Sequence, residues 1–136
     1  MKNQISFTTD LFETRRVEGS HFGQDLARWF IEAASGGSFS FGEPFQEEWG
    51  WAVPVEGDGE QFVIKFEIMD ASIGDNQADW LITVEKLRKW KYFSSKDSNL
   101  RSELCDLVQN VLRNKAHIRE IRWTGEAGHF APKKAT

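Results

Sequence analysis

Residues 51–68 read WAVPVEGDGEQFVIKFEI, and two alternating runs flank a single turn-forming dipeptide within them. Trp51, Val53 and Val55 share one parity; Phe62, Ile64, Phe66 and Ile68 share another, with Lys65 and Glu67 opposite. Successive strand side chains point to opposite faces, so each run builds one apolar face. Between the runs, Asp58-Gly59 suits the positive φ values of a tight type I′ turn. That turn sets Val55 against Phe62, Val53 against Ile64 and Trp51 against Phe66, and the same register carried on sets Trp49 against Ile68. The alternation predicts a hairpin that covers a core. Pro54 has no N–H to give to a ladder, which puts its strand at a sheet edge or turns its nitrogen outward.

The periodicities on either side complete a fold. Trp80, Ile82 and Val84 form a third strand with Leu81, Thr83 and Glu85 on its other face, and Ile5, Phe7 and Thr9 form a short first one. From Ser20, an N-cap residue, Phe22, Leu26, Trp29, Phe30 and Ala33 recur at helical spacing, and Gly36-Gly37 ends the helix. A second helix starts at Asp97 or Ser98, with Leu100, Leu104, Leu107, Val108, Val111 and Leu112 as its stripe. In the closing stretch AHIREIRW, Ile121 and Trp123 share a strand face with Arg119. The order β-α-β-β-β-α-β predicts an α+β two-layer sandwich: an antiparallel sheet with both helices packed on one face. The second face is left open, with Lys65, Glu67, Thr83 and Glu85 suitably polar and Val63, Met69 and Leu81 less so. Residues 1–124 read as one domain and 125–136 as a flexible tail.

Composition narrows the setting. At 136 residues with 40% hydrophobic content, the chain has enough apolar surface for one core. No apolar run resembles a signal peptide or a membrane span, and the single cysteine, Cys105, rules out an internal disulfide framework. The expected compartment is the cytoplasm. The net charge of −4 hides a bipolar chain, because residues 43–85 hold eleven acids against the single base Lys65, whereas residues 86–136 hold twelve bases and five acids. Such asymmetry marks either a charged binding face or two blocks that neutralise each other in the fold.

Motif chemistry is sparse. Adjacent strand residues diverge, so Glu47 and Glu48 do not converge on a substrate as a glycosidase pair must. Asp70, Asp75 and Asp79 lack the spacing of a calcium loop, His21, His117 and His129 form no zinc pattern, and no glycine-rich phosphate cradle is present. Cys105 reads as a packed thiol on its helix. No cofactor or metal is implied, and no catalytic residue is assigned. The segment EKLRKWKYFSSK mixes cations with Trp90, Tyr92 and Phe93 as single-stranded nucleic-acid sites do, but a pI near 5.4 argues against that partner.

The layout of a helix, a meander and a second helix in a small acidic protein is similar to that of secretion chaperones and some immunity proteins. It leads to the expectation of a protein-interaction module whose acids Glu43, Glu47, Glu48, Asp70, Asp75 and Asp79 meet a basic partner, with Trp90 as an exposed anchor. The alternative is a small-ligand binder or enzyme with an aromatic-lined pocket and an inward Glu43 or Glu48. Homodimerisation through the strand containing Pro54 is a third reading.

Overall fold

A computed structural model describes residues 2–12, 22–71, 77–87 and 99–125. The elements are β1 (Gln4–Thr9), α1 (Gln24–Ala34), β2 (Ser40–Phe41), β3 (Phe45–Glu47), β4 (Gly50–Gly57), β5 (Glu60–Ala71), β6 (Ala78–Lys86), α2 (Asn99–Arg113) and β7 (Ile118–Gly125). The sheet is antiparallel throughout, in the order β2-β4-β5-β6-β1-β7, and β3 also pairs with β4. Both helices lie on one face: α1 packs on β4, α2 on β6 and β7, and the helices touch each other. This is the expected α+β sandwich, with β2 and β3 added to its edge.

The central hairpin has the register that its alternation predicts. Trp51 pairs with Phe66, Val53 with Ile64 and Val55 with Phe62, and Asp58 and Gly59 turn at φ 52° and 81°. Continuing across the sheet, Ile64 meets Val84, Phe66 meets Ile82 and Ile68 meets Trp80, and Ile82 and Trp80 in turn meet Ile5 and Phe7. These side chains meet the buried Leu26, Ala27, Phe30 and Ala34 of α1 and Leu104, Cys105, Val108, Val111 and Leu112 of α2. The α1 stripe runs through Ala34, four residues after Phe30, and leaves the predicted Ala33 exposed. Phe30 holds Phe41 edge-on and Phe66 at a tilt, with ring centroids 5.9 and 5.7 Å away. At the start of β1, Asn3 ties both neighbours: its N–H donates to the Gly125 carbonyl and its side-chain amide to the Val84 carbonyl.

Pro54 behaves as its chemistry requires. Its carbonyl accepts from the Gly42 N–H on the outer edge of β4, and a residue's N and O point to the same side of a strand. The missing N–H therefore faces residues 42–44, where the edge pairing breaks between β2 and β3. Those two strands cover the outer edge of β4, so a dimer through Pro54 would have to displace them.

Two sequence expectations are corrected. Trp49 is not a core residue opposite Ile68. Glu47 pairs with Gly50, which makes Glu48-Trp49 a two-residue turn, and the indole lies on the opposite face with Lys65 Nζ 5.6 Å from its ring centroid. Gly50 permits this turn because a Cβ there would run into the Phe66 carbonyl oxygen. Arg119 does not share a face with Ile121 and Trp123. Glu120 takes φ 54° at a break in the β1–β7 register, and the extra residue of this bulge sends Arg119 across from Thr8 on the open face. The predicted cap Ser20, the loop acid Asp75, the Trp90 segment, the start at Asp97 or Ser98, and the tail beyond Gly125 lie outside the described residues.

Candidate functional site

With one face under the helices, chemistry concentrates on the other. Its residues fall into rows that cross the strands. One row holds Phe45, Ala52, Lys65, Thr83 and Gln4; the next holds Glu47, Gly50, Glu67, Leu81, Ser6 and Arg122; the last holds Asp70, Asp79, Thr8 and Arg119. Directly opposed side chains in an antiparallel pair share a face, so each row is a line of neighbours. Acids occupy the β3–β6 side of this surface, and on the β7 side Arg119 and Arg122 flank Glu120.

A canopy lies over part of the face. Lys65 Nζ reaches Glu85 Oε1 at 3.0 Å and also sits over Trp49, and beneath these chains Ala52 and Thr83 are buried. Glu67 is half-buried beside them; burial raises its carboxyl above the usual range, and the Lys65 charge opposes that rise. Beyond the canopy, a trough of about 370 Å³ runs along β1, floored by Gln4, Ser6 and Thr8 and walled by Leu81 and Met69 on one side and Arg122 on the other. Thr8 donates its hydroxyl proton to Asp79 Oδ1 at 2.7 Å, and Arg119 donates to Gln77 Oε1 at 2.8 Å. A second depression of about 330 Å³, beside Phe41, Pro54 and Leu87, lies at the opposite end of β4.

The expected acids divide by position. Glu43, Glu47 and Glu48 are exposed around β3 and its turn, and Glu43 makes a 3.5 Å surface ion pair with Arg28, an arrangement worth little in water. Asp70 and Asp79 are brought together as a cross-strand pair. Because Glu43 and Glu48 both face solvent, neither supplies the inward carboxylate of a pocketed acid/base site. Cys105 is buried, and desolvation pushes its thiol up to about 11, which keeps it protonated and unreactive. Among the described residues no His, Cys, Asp and Glu cluster fits a metal ion, and no helix is long and apolar enough to cross a membrane.

Sequence reasoning did not single out Phe45 and Trp49 as surface residues, yet they are 43 and 37% exposed; Met69, placed on the open face by its parity, is 59% exposed. Phe45 carried a signal in Pro44, which breaks pairing before it; Trp49 carried one in Gly50, which permits the turn after it. Comparisons of the chain with protein-family models, curated proteins and solved structures give no match.

Proposed function

We propose that this chain is a small protein-interaction module, of the inhibitor, immunity or chaperone kind, that binds a basic partner through the open face of its sheet. The observation that supports this reading most is the meeting of exposed apolar side chains with carboxylates on one surface. Phe45 and Trp49 adjoin Glu47 and Glu48, and Met69 adjoins Asp70 and Asp79. Partner sites combine aromatic or aliphatic anchors with a charged rim, the anchors giving affinity and the rim giving encounter rate and selectivity. The lone, buried Cys105 supports a reducing setting, and we take the compartment to be the cytoplasm.

The test is capture from a cell extract followed by rebinding of the purified partner. The reading expects a partner of basic surface whose affinity falls with salt, falls strongly on Trp49→Ala, and is lost on reversing Glu47, Glu48, Asp70 and Asp79 to lysine. A partner held equally well by the fourfold reversal at both low and high salt overturns it.

A further inference from the structure

We propose that the trough along β1 binds an extended segment of that partner, one that carries a basic and an apolar side chain two residues apart; the inference rests on the partner-binding reading of this face. Its shape is the first argument. Gln4, Ser6 and Thr8 project from alternate residues of a straight strand, so the floor runs about 13 Å with a side chain every ~7 Å. An extended peptide repeats with the same period, and about four to five of its residues lie along such a floor.

Chemistry is the second argument. Asp79 spends one oxygen on the Thr8 hydroxyl, and it stands directly opposite Asp70 in the sheet. Like charges directly opposed across strands are destabilising, and Arg119, in the same row across Thr8, is engaged with Gln77. A lysine or arginine laid into this end relieves the repulsion and takes the second oxygen of Asp79. One step along the trough, Leu81 is half-buried and Met69 exposed, an apolar wall placed for the side chain two residues on in the same segment. On the far wall, Arg122 has no ion pair or hydrogen bond to any described residue, and its guanidinium N–H groups are donors for peptide carbonyls. The Ser6 hydroxyl is a further polar group of the floor, beside a Gln4 amide that donates to Thr83 Oγ1 and a Thr124 hydroxyl that donates to the Gln4 carbonyl. An acidic segment would set its carboxylates on Asp79 and Glu120, which also line the trough, and is excluded by like charge.

The probe is the blocked pentapeptide acetyl-Ser-Lys-Ser-Leu-Ser-amide, titrated into the full chain and followed by backbone amide shifts, with the peptide carrying Glu in place of Lys as control. The trough reading expects saturable shifts centred on residues 4–8, 79–81 and 120–124, and no saturation with the acidic peptide. Asp79→Lys is expected to weaken binding by about tenfold or more, corresponding to about 1.4 kcal/mol. Asp79→Asn keeps an acceptor for Thr8, guards against misfolding and weakens binding by a smaller factor. The change Glu103→Lys, exposed on α2 on the other side of the sheet, is expected to shift affinity less than twofold. Shifts centred elsewhere, equal binding of the acidic peptide, an unchanged affinity in both Asp79 variants, or no saturable binding overturns the trough. If the peptide fails while partner capture still depends on Glu47 and Glu48, the trough is refuted and the interaction module stands.

Discussion

Trp49 and Trp51 are two residues apart, and their replacement by alanine should separate by a wide margin. Trp51 is 8% exposed and packs among Val53, Phe66 and the helices. A buried indole removes about 150–250 Å² from water, which at ~25 cal/mol/Å² sets an upper bound of about 4–6 kcal/mol. Large-to-small changes at such sites cost about 3–5 kcal/mol. Trp49 is 37% exposed in a turn, so its removal leaves no enclosed cavity; the main loss is the contact with Lys65, about 0.5–1 kcal/mol, with some cover of the turn. We therefore expect about 1 kcal/mol there. With an unfolding entropy of about 2.1 cal/mol/K per residue, a chain of 136 residues loses about 3.5 °C of Tm per kcal/mol. Calorimetry should show Tm falling by about 10–17 °C for Trp51→Ala and about 3–4 °C for Trp49→Ala. A double-mutant cycle with Lys65→Met should show coupling of about 0.5–1 kcal/mol to Trp49 and nearly none to Trp51. Equal losses at the two tryptophans would refute the turn at Glu48-Trp49 and return both indoles to the core.

Other expectations follow from single groups. Gly50→Ala should cost at least about 2 kcal/mol in chemical denaturation, because the added carbon meets the backbone of Phe66 and β4 or β5 must shift. The Cys105 thiol should resist alkylation in the native state at pH 8. Because the folded chain holds that proton up to about 11, stability should decline as pH rises above about 9, by at most ~1.4 kcal/mol per unit, and Cys105→Ala should flatten this limb. Glu67 is an acid with a raised folded pKa, so its ionisation opposes folding once pH exceeds the unfolded value; Glu67→Gln should raise stability at pH 7 and leave it nearly unchanged at pH 3, as urea midpoints will show.

How far these features are legible in the sequence depends on how local their causes are. The hairpin of β4 and β5 is determined by residues within eighteen positions of one another: alternation fixes the faces and Asp58-Gly59 fixes the register, so Val55 against Phe62 follows without knowledge of the rest. Trp49 obeys the same alternation and still leaves the core, because its fate is decided by β3 folding back to cover the outer edge of β4. A three-residue strand has too little period to announce itself. Arg119 fails for a similar reason. Parity counts residues, and a bulge at Glu120 inserts one that parity cannot see. The acids Glu47, Glu48, Asp70 and Asp79 were visible as types. The exposure of Phe45 and Trp49 beside them was not, because it is decided by the pairing of β3 with β4 rather than by the local pattern.

The same pairings bear on the charge asymmetry. The sequence left two outcomes open, a charged face or blocks that neutralise each other, and the sheet distributes both. Near the Asp58-Gly59 turn, Lys86 Nζ lies 3.3 Å from Glu60 Oε1, joining the first base of the basic block to an acid of the acidic one. In the middle of the open face, Lys65 and Glu85 close a second pair from within the acidic block itself. Both pairs lie away from the row of Asp70 and Asp79, since β5 runs from Glu60 towards Ala71 and β6 returns from Ala78 to Lys86. Neutralisation is thus spent at one end and the middle of the sheet, while Glu47, Glu48, Asp70 and Asp79 gather at the other, with Arg119 and Arg122 across on β7 and Glu120 between them. A field directed across β1, from Asp70 and Asp79 on one wall to two guanidinium groups against the single carboxylate of Glu120 on the other, is what a random scatter of compensating pairs would cancel. Its survival at the end that also exposes Trp49 and Met69 is why the binding reading is assigned to this end of the face.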